Sequence, residues 1–305
     1  MVAAPNVFDR ALLRERQRRA AAGSPSRFLP VTFLLDRVAE ELSERLAVVT
    51  RRFEVAVDLG TPSATLRALL RRNNAVGAMI AAAPTSVLMT TDNGLKVVAD
   101  EEALPFKDAS IDLIVSGLAL HFVNDLPGTL VQVRRALKPD GLFIAAMLGG
   151  DTLIELRQAF AAAEAEVEGG ISPRVAPFVD VRDMGGLLQR AGFALPVTDV
   201  DRVSVRYASV FALMQDLRAM AATNVLTERR RLPLKRATLQ RMAEIYAERF
   251  SDPDGRVRAT FEIISLSGWA PDPSQQQPLR PGSAKARLAD ALGTRELPAG
   301  EKTGR

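Results

Sequence analysis

Five places in this 305-residue chain carry side chains that could do chemistry, and most of them close an apolar run. In "VAVDLG", Asp58 and Gly60 end a β-branched stretch. The acid can accept hydrogen bonds from a ligand amine or orient the loop, and the glycine permits a tight turn. Asp100, with Glu101 and Glu102 beside it, ends "LKVVAD". It could meet the amino group of an adenine, or form an exposed acidic turn. His121 follows "IDLIVSGLAL" and is the single histidine of the chain. It stands either against a substrate or packed and satisfied. Asp151 follows Gly149 and Gly150, as a site residue or as the cap of the next helix. Arg174 lies between prolines in "EGGISPRVAPF", a loop that either clamps a substrate or merely connects.

Two expected groups are missing. Thr61-Pro62-Ser63-Ala64 follows Gly60, where close approach of backbone to a ligand usually requires further glycines. The second strand runs into "AMIAAAPTS" with no acid before Asp92 to grip a ribose.

Composition closes off other chemistries. Cysteine is absent, so there are no disulfides, thiolates or Cys/His zinc sites. No spacing argues for a carboxylate metal site. No G-x-S-x-G elbow is present, and a serine nucleophile would depend on His121 for its base. The 40 basic and 36 acidic residues are intermixed and aromatics are 5%, which describes a solvated surface rather than a nucleic-acid face. No apolar run approaches the ~18 residues of a membrane span. The arginine-rich start contains Asp9 and Glu15, unlike an acid-poor transit peptide. A soluble intracellular protein is expected, with an exposed amphipathic helix over Phe8 to Ala22.

The elements that must position these groups alternate. Helical spacing from Phe33 to Leu46 precedes a strand from Phe53 to Leu59. Thr61 suits the N-cap and Pro62 the first position of the next helix, whose stripe is Leu66, Leu69 and Leu70. Strands follow at Val76 to Ala81 and Leu95 to Asp100. The fully apolar Ile111 to Leu120 is a strand covered on both faces. Asp125 can cap a helix carrying Leu130, Val133 and Leu137, and Pro139-Asp140-Gly141 turns into "LFIAAML". Such alternation predicts an α/β, doubly wound, mostly parallel sheet whose ligands sit at the carboxyl ends of the strands. Helices are expected over Asp151 to Val167 (ended by Gly169-Gly170), in "VRDMGGLLQRAGF" (closed at Gly192), and over Phe211 to Ala222 and Leu239 to Phe250. The last strands are "VTDVDRVSVRY" and "TFEIISLSGWA", and from Pro271 a loose tail is expected. The implied organisation is an N-terminal helical arm packed on the core over 1–50, a Rossmann core over 51–150, a second half with a helical insertion over 151–270, and the tail over 271–305.

These stretches resemble the methyltransferase-like assembly factors of respiratory complex I. "NVFDRALLRERQRRAA", "LKPDG", "GGDTLIELR", "GGISPRVAPF" and "GWAPDPSQQQPLRPGSA" carry the resemblance across nearly the whole chain. It implies a Rossmann-like, seven-strand class I methyltransferase fold that uses S-adenosylmethionine (SAM). It also implies a protein client among the complex I subunits, the mitochondrial members being linked to hydroxylation of an arginine beside the terminal iron–sulfur cluster. By position, Asp58 and Gly60 match the first cofactor motif. Asp100, with Glu101 beside it, matches the adenine-side acid, and Ser116 to His121 match the wall near the methionine end. The catalytic candidates are His121, Asp151 and Arg174. The missing glycines and ribose acid remove hydrogen bonds worth about 0.5–1.5 kcal/mol each, enough to turn a micromolar ligand roughly millimolar. Two other functions stay open: methyl transfer to another protein or small molecule, and a non-catalytic chaperone. Neither nucleic acid nor a membrane span is expected. The compartment implied is the bacterial cytoplasm, with the mitochondrial matrix as the alternative.

Overall fold

The computed structural model describes residues 6–22, 32–73, 75–89, 94–276 and 288–294. Residues 1–271 form one compact unit and 272–305 a second. In the first, helices α1 (Arg10–Ala22) and α2 (Phe33–Ala47) precede β1 (Phe53–Leu59), α3 (Thr65–Arg71), β2 (Val76–Ala83), β3 (Leu95–Val98) and β4 (Ile111–Gly117). Then come α4 (Leu126–Ala136), β5 (Leu137–Leu148), α5 (Ile154–Glu168), α6 (Val181–Arg190), β6 (Ala194–Tyr207), α7 (Val210–Ala219), α8 (Arg236–Phe250) and β7 (Val257–Trp269). The seven strands lie in the order β3-β2-β1-β4-β5-β7-β6, with only β7 running antiparallel to its neighbours. The order reverses between β1 and β4, which fixes where a crevice opens.

Apolar side chains on both faces explain why the central strands are buried throughout. Phe53, Ala56, Leu113 and Ile144 pack on one side against α2, α3, α5, α7 and α8. Val57, Leu59, Ile114 and Phe143 pack on the other against α4 and α6. The result is a three-layer α/β/α sandwich, as the alternation of apolar runs requires.

Several local expectations change. Helix α3 starts at Thr65 with Ala64 at its N-cap, not at Thr61 and Pro62. The reason is that the Thr61 hydroxyl is already used, donating to Asp58 and accepting from the Gly117 amide at 2.8 Å. Asp151 does not cap α5, whose N-cap is Leu153 in a left-handed conformation. Its carboxylate pairs instead with Arg202 on β6. Asp125 does cap α4, accepting from the Gly128 amide at 2.8 Å. Pro139, Asp140 and Gly141 lie within β5 as an irregularity in its pairing with β4, rather than as a turn before it. The α1 helix is not a free amphipathic arm. Phe8 and Leu13 are buried in a small cluster with Ala176, Val225 and Leu226. Burying one such leucine contributes about 1.5–3 kcal/mol, and Leu13 is 8% exposed.

The expected loose tail lies mostly outside the described residues, as does Asp92. Within the second unit, Leu288–Leu292 is a short helix, α9. Among the described residues no helix is long and apolar enough to cross a membrane, and no group of three or more His, Cys, Asp or Glu side chains could hold a metal.

Candidate functional site

A cavity of about 430 Å³ opens at the carboxyl ends of the strands, where the order reverses. Gly60 after β1, Pro84 after β2, Glu101 after β3 and Leu118-Ala119 after β4 form its floor. Helix α1 closes one side, and the loop carrying Arg174 and the segment after α7 close the other. Its size lies in the range of small-molecule sites, roughly 300–1,000 Å³.

Backbone strain gathers here. Of the six non-glycine residues with positive φ among the described residues, Leu118 (50°), Leu153 (56°) and Ala221 (58°) all line this cavity. Each such conformation costs about 1–3 kcal/mol and persists only where its surroundings enforce it, commonly at ligand sites. Gly60 has φ +77°, and a Cβ there would stand 2.8 Å from both the Ala119 Cβ and Glu101 Oε1. Here glycine is required by conformation and by contact together.

The predicted cofactor residues divide. Asp58 is 1% exposed and does not face the cavity. Its carboxylate accepts from Thr61 and pairs with the equally buried Arg67. Ser116 is also fully buried, donating to the Leu59 carbonyl at 2.7 Å as a tie between β4 and β1. Asp100 lies beside the cavity wall, while Glu101 forms part of it. The two predicted carboxylates therefore do not open together into one pocket. Glu101 is the one carboxylate lining the cavity among the described residues.

Sequence reasoning missed what meets that acid. Arg10 of α1 pairs with Asp100 and Glu101 and reaches Glu102 at 3.2 Å, and Arg14 also pairs with Asp100. Burial opposes the Arg10 charge, but Glu101 and Asp100 outweigh it and raise its pKa. Burial also favours neutral Asp100, yet the Glu102 amide and both arginines hold it below the usual carboxylate range. Glu101 goes the other way: burial pushes it up despite Arg10. The turn is stiff, since Glu102 accepts from the Asn124 amide at 2.6 Å and Gln132 donates to the Glu102 carbonyl at 2.8 Å. Asn124 also brackets Phe8, accepting from its amide at 2.8 Å and donating to its carbonyl at 3.1 Å. Arginines at the fourth and eighth positions of "VFDRALLR" were the available signal, but helical spacing alone does not say which face meets an acid.

Among the catalytic candidates, His121 and Arg174 line the cavity and Asp151 does not. His121 is 7% exposed, with its ring centroid 4.3 Å from that of Phe122 and 5.5 Å from that of Phe178. Burial lowers its pKa to about 3, so the imidazole is neutral at physiological pH. Its Nδ1 is sealed and without a hydrogen-bond partner among the described residues. Arg174 donates from Nε to Glu164 at 2.8 Å and lies 5.6 Å from the Phe160 ring centroid. Glu164 accepts from the Ser172 amide and hydroxyl as well, both at 2.6 Å. The loop between the prolines is thus held to α5 while its guanidinium forms cavity wall.

A family model described as a methyltransferase domain matches residues 57–145. The arginine-hydroxylase NDUFAF5, mitochondrial, of Danio rerio is 39% identical over 289 residues, covering 93% of this chain and 89% of the relative. The human protein of the same name is 40% identical over 291 residues, covering 93% and 83%. Among solved structures, BH2331 of Bacillus halodurans C-125, described as a candidate methyltransferase, superposes with a TM-score of 0.51 at 15% identity, covering 77% of this chain and 99% of that one. That likeness shows the fold, which is the class I methyltransferase sandwich.

Proposed function

This chain belongs to the arginine-hydroxylase NDUFAF5 family, and we propose that it modifies an arginine side chain of a protein client during respiratory complex I assembly. The observation that supports this best is the cavity at the strand-order reversal, walled by Glu101, neutral His121 and the anchored Arg174 loop. We propose the bacterial cytoplasm as its compartment, although the two relatives above carry the word mitochondrial in their names.

SAM fits the cavity at its nucleoside end. Gly60, Glu101 and the Leu118-Ala119 shelf would hold that part, because all four residues line the cavity where the strand order reverses. The hydroxyl-gripping position is not acidic, since Ala83-Pro84 stands at the end of β2. When bound, SAM would supply a sulfonium centre and an activated methyl group; the oxygen of a hydroxylated arginine would have to come from a separate oxidant such as dioxygen, whose second oxygen leaves as water with two electrons from an external reductant. His121 would present a neutral ring nitrogen, and Phe122 and Phe178 would exclude water beside it.

The test has two parts. Titration calorimetry of the full chain with SAM should give saturable heat at submillimolar to millimolar concentrations. Mass spectrometry of the complex I subunits from cells with and without the protein should find one arginine that lacks a single oxygen atom when the protein is absent. An unchanged arginine inventory refutes the hydroxylation reading. A second reading, an assembly chaperone without catalysis, is favoured by one observation: Asp58, which matches the family's cofactor acid, is committed to Arg67. That reading expects Glu101→Gln to leave complex I levels intact, whereas the enzymatic one expects them to fall.

A further inference from the structure

The C-terminal end of α5 holds two surface loops at once. Glu164, 1% exposed, anchors Ser172 and Arg174. One turn later Glu168 accepts from Thr238 at 2.6 Å, pairs with Arg230, and lies 3.3 Å from Lys235. Thr238, then Arg230, hold its pKa down to about 2, so Glu168 stays charged throughout the physiological range. These two acids fix the loop over 171–178 and the loop over 229–236 to adjacent turns of one helix. Both loops also reach the cavity, through Arg174 and Leu234.

What the loops show outward is distinctive. The second reads "RRRLPLKR", five basic residues and no acid, preceded by Glu228. Glu168 engages Arg230 and Lys235, and Asp9 lies 3.0 Å from Arg229. The side chains of Arg231 and Arg236 are exposed and make no hydrogen bond or ion pair within 4.0 Å among the described residues, although the charge of Arg231 helps to hold the Asp9 pKa down. Leu232 between them is 65% exposed, and Ile171 on the other loop is 69% exposed. A second cavity, of about 580 Å³, runs beside Ile171, Pro173 and Arg157. It shares Phe160, Arg174, Val175 and Phe178 with the first. Arg157 donates to the carbonyls of Gly150, Thr152 and Ala176, so its hydrogen bonds are satisfied while its charge meets no carboxylate among the described residues.

We propose that these two loops form the client-docking platform: an acidic polypeptide segment with an apolar anchor lies along the 171–178 groove and against Arg231, Leu232 and Arg236. This rests on the protein-client reading of the cavity. Complementary charge steers such a segment to the surface and sets its register, while desolvated apolar residues supply most of the affinity. The groove adjoins the cavity that His121 lines, since Phe160, Arg174, Val175 and Phe178 belong to both. A membrane does not fit as well, because the platform includes a concave groove rather than a flat basic face around one apolar tip.

The experiment uses the full chain and a fluorescein-labelled synthetic peptide of glutamates with two leucines around one arginine, followed by fluorescence anisotropy. Binding that weakens with added salt, weakens at least tenfold in Arg231→Glu/Arg236→Glu, and weakens again in Ile171→Ser/Leu232→Ser supports the platform. All four residues are exposed, so thermal melts should show the variants folded. Equal affinity of wild type and the charge-reversed variant overturns the proposal. So does binding to phosphatidylserine vesicles, in flotation, that the same charge reversal abolishes while peptide binding stays absent. Calorimetry with SAM in these variants should be unchanged. If the platform fails while the client arginine is still modified, only the docking surface is wrong.

Discussion

Replacing Arg67 with Met is the sharpest perturbation the fold offers. The Arg67 and Asp58 side chains are 1% and 0% exposed, so neither charge has water to turn to. Methionine keeps most of the volume of the arginine stem and removes the guanidinium that pairs with the buried Asp58 carboxylate. Removing one partner of a buried pair costs about 3–5 kcal/mol. For a unit of this size about 2 °C of melting temperature accompanies each kcal/mol, so Tm should fall by roughly 6–10 °C. Asp58→Asn should cost a comparable amount, because it removes the carboxylate charge that faces the buried guanidinium. The double variant Asp58→Asn/Arg67→Met should recover most of the loss, since a neutral pair has no charge to desolvate. Thermal melts by circular dichroism on the four proteins measure this directly. A fall of less than about 2 °C for Arg67→Met, or a double variant no more stable than the sum of its parts allows, would refute the buried pair as described.

The other expectations concern the cavity. Because His121 is the single histidine, its ring proton resonances are unambiguous, and they should not titrate between pH 5 and 8. Its folded pKa lies below the unfolded value of about 6.5, so the unfolded chain binds the extra proton. The His121 contribution to stability is therefore complete above about pH 6.5 and is lost as pH falls towards 3; a His121→Phe variant that keeps the same pH slope over that window would contradict this. Gly60→Ala should destabilise by about 1–3 kcal/mol, since the added Cβ meets Ala119 and Glu101 at a positive φ; a neutral change in denaturant midpoint would argue against that geometry. Arg10→Gln should leave the sheet intact but expose α1, with amide exchange over residues 10–22 accelerating while β4 and β5 stay protected. Equal protection in wild type and variant would mean that the Asp100–Glu102 turn does not hold the helix.

The sheet was legible from the chain because its evidence is local. β1 runs from Phe53 to Leu59 as its β-branched residues require, β4 is apolar on both faces, and Gly169 and Gly192 close helices with positive φ. The position of the cavity followed from the alternation of strands and helices, since strand order decides where the carboxyl ends diverge. Side-chain partners were another matter. Asp58 turns inward to Arg67, nine residues away. Asp100 is claimed by Arg10 and Arg14, which lie some ninety residues earlier. Asp151 reaches across to Arg202 on β6. Spacing along a chain reports which residues share a face, because helix and strand periodicities are set by backbone geometry. It does not report which charge on one element meets which on another, since that depends on docking angles and on which pair can shed its water at least cost. The types of the site residues were thus written locally, and their availability was decided only when the layers closed.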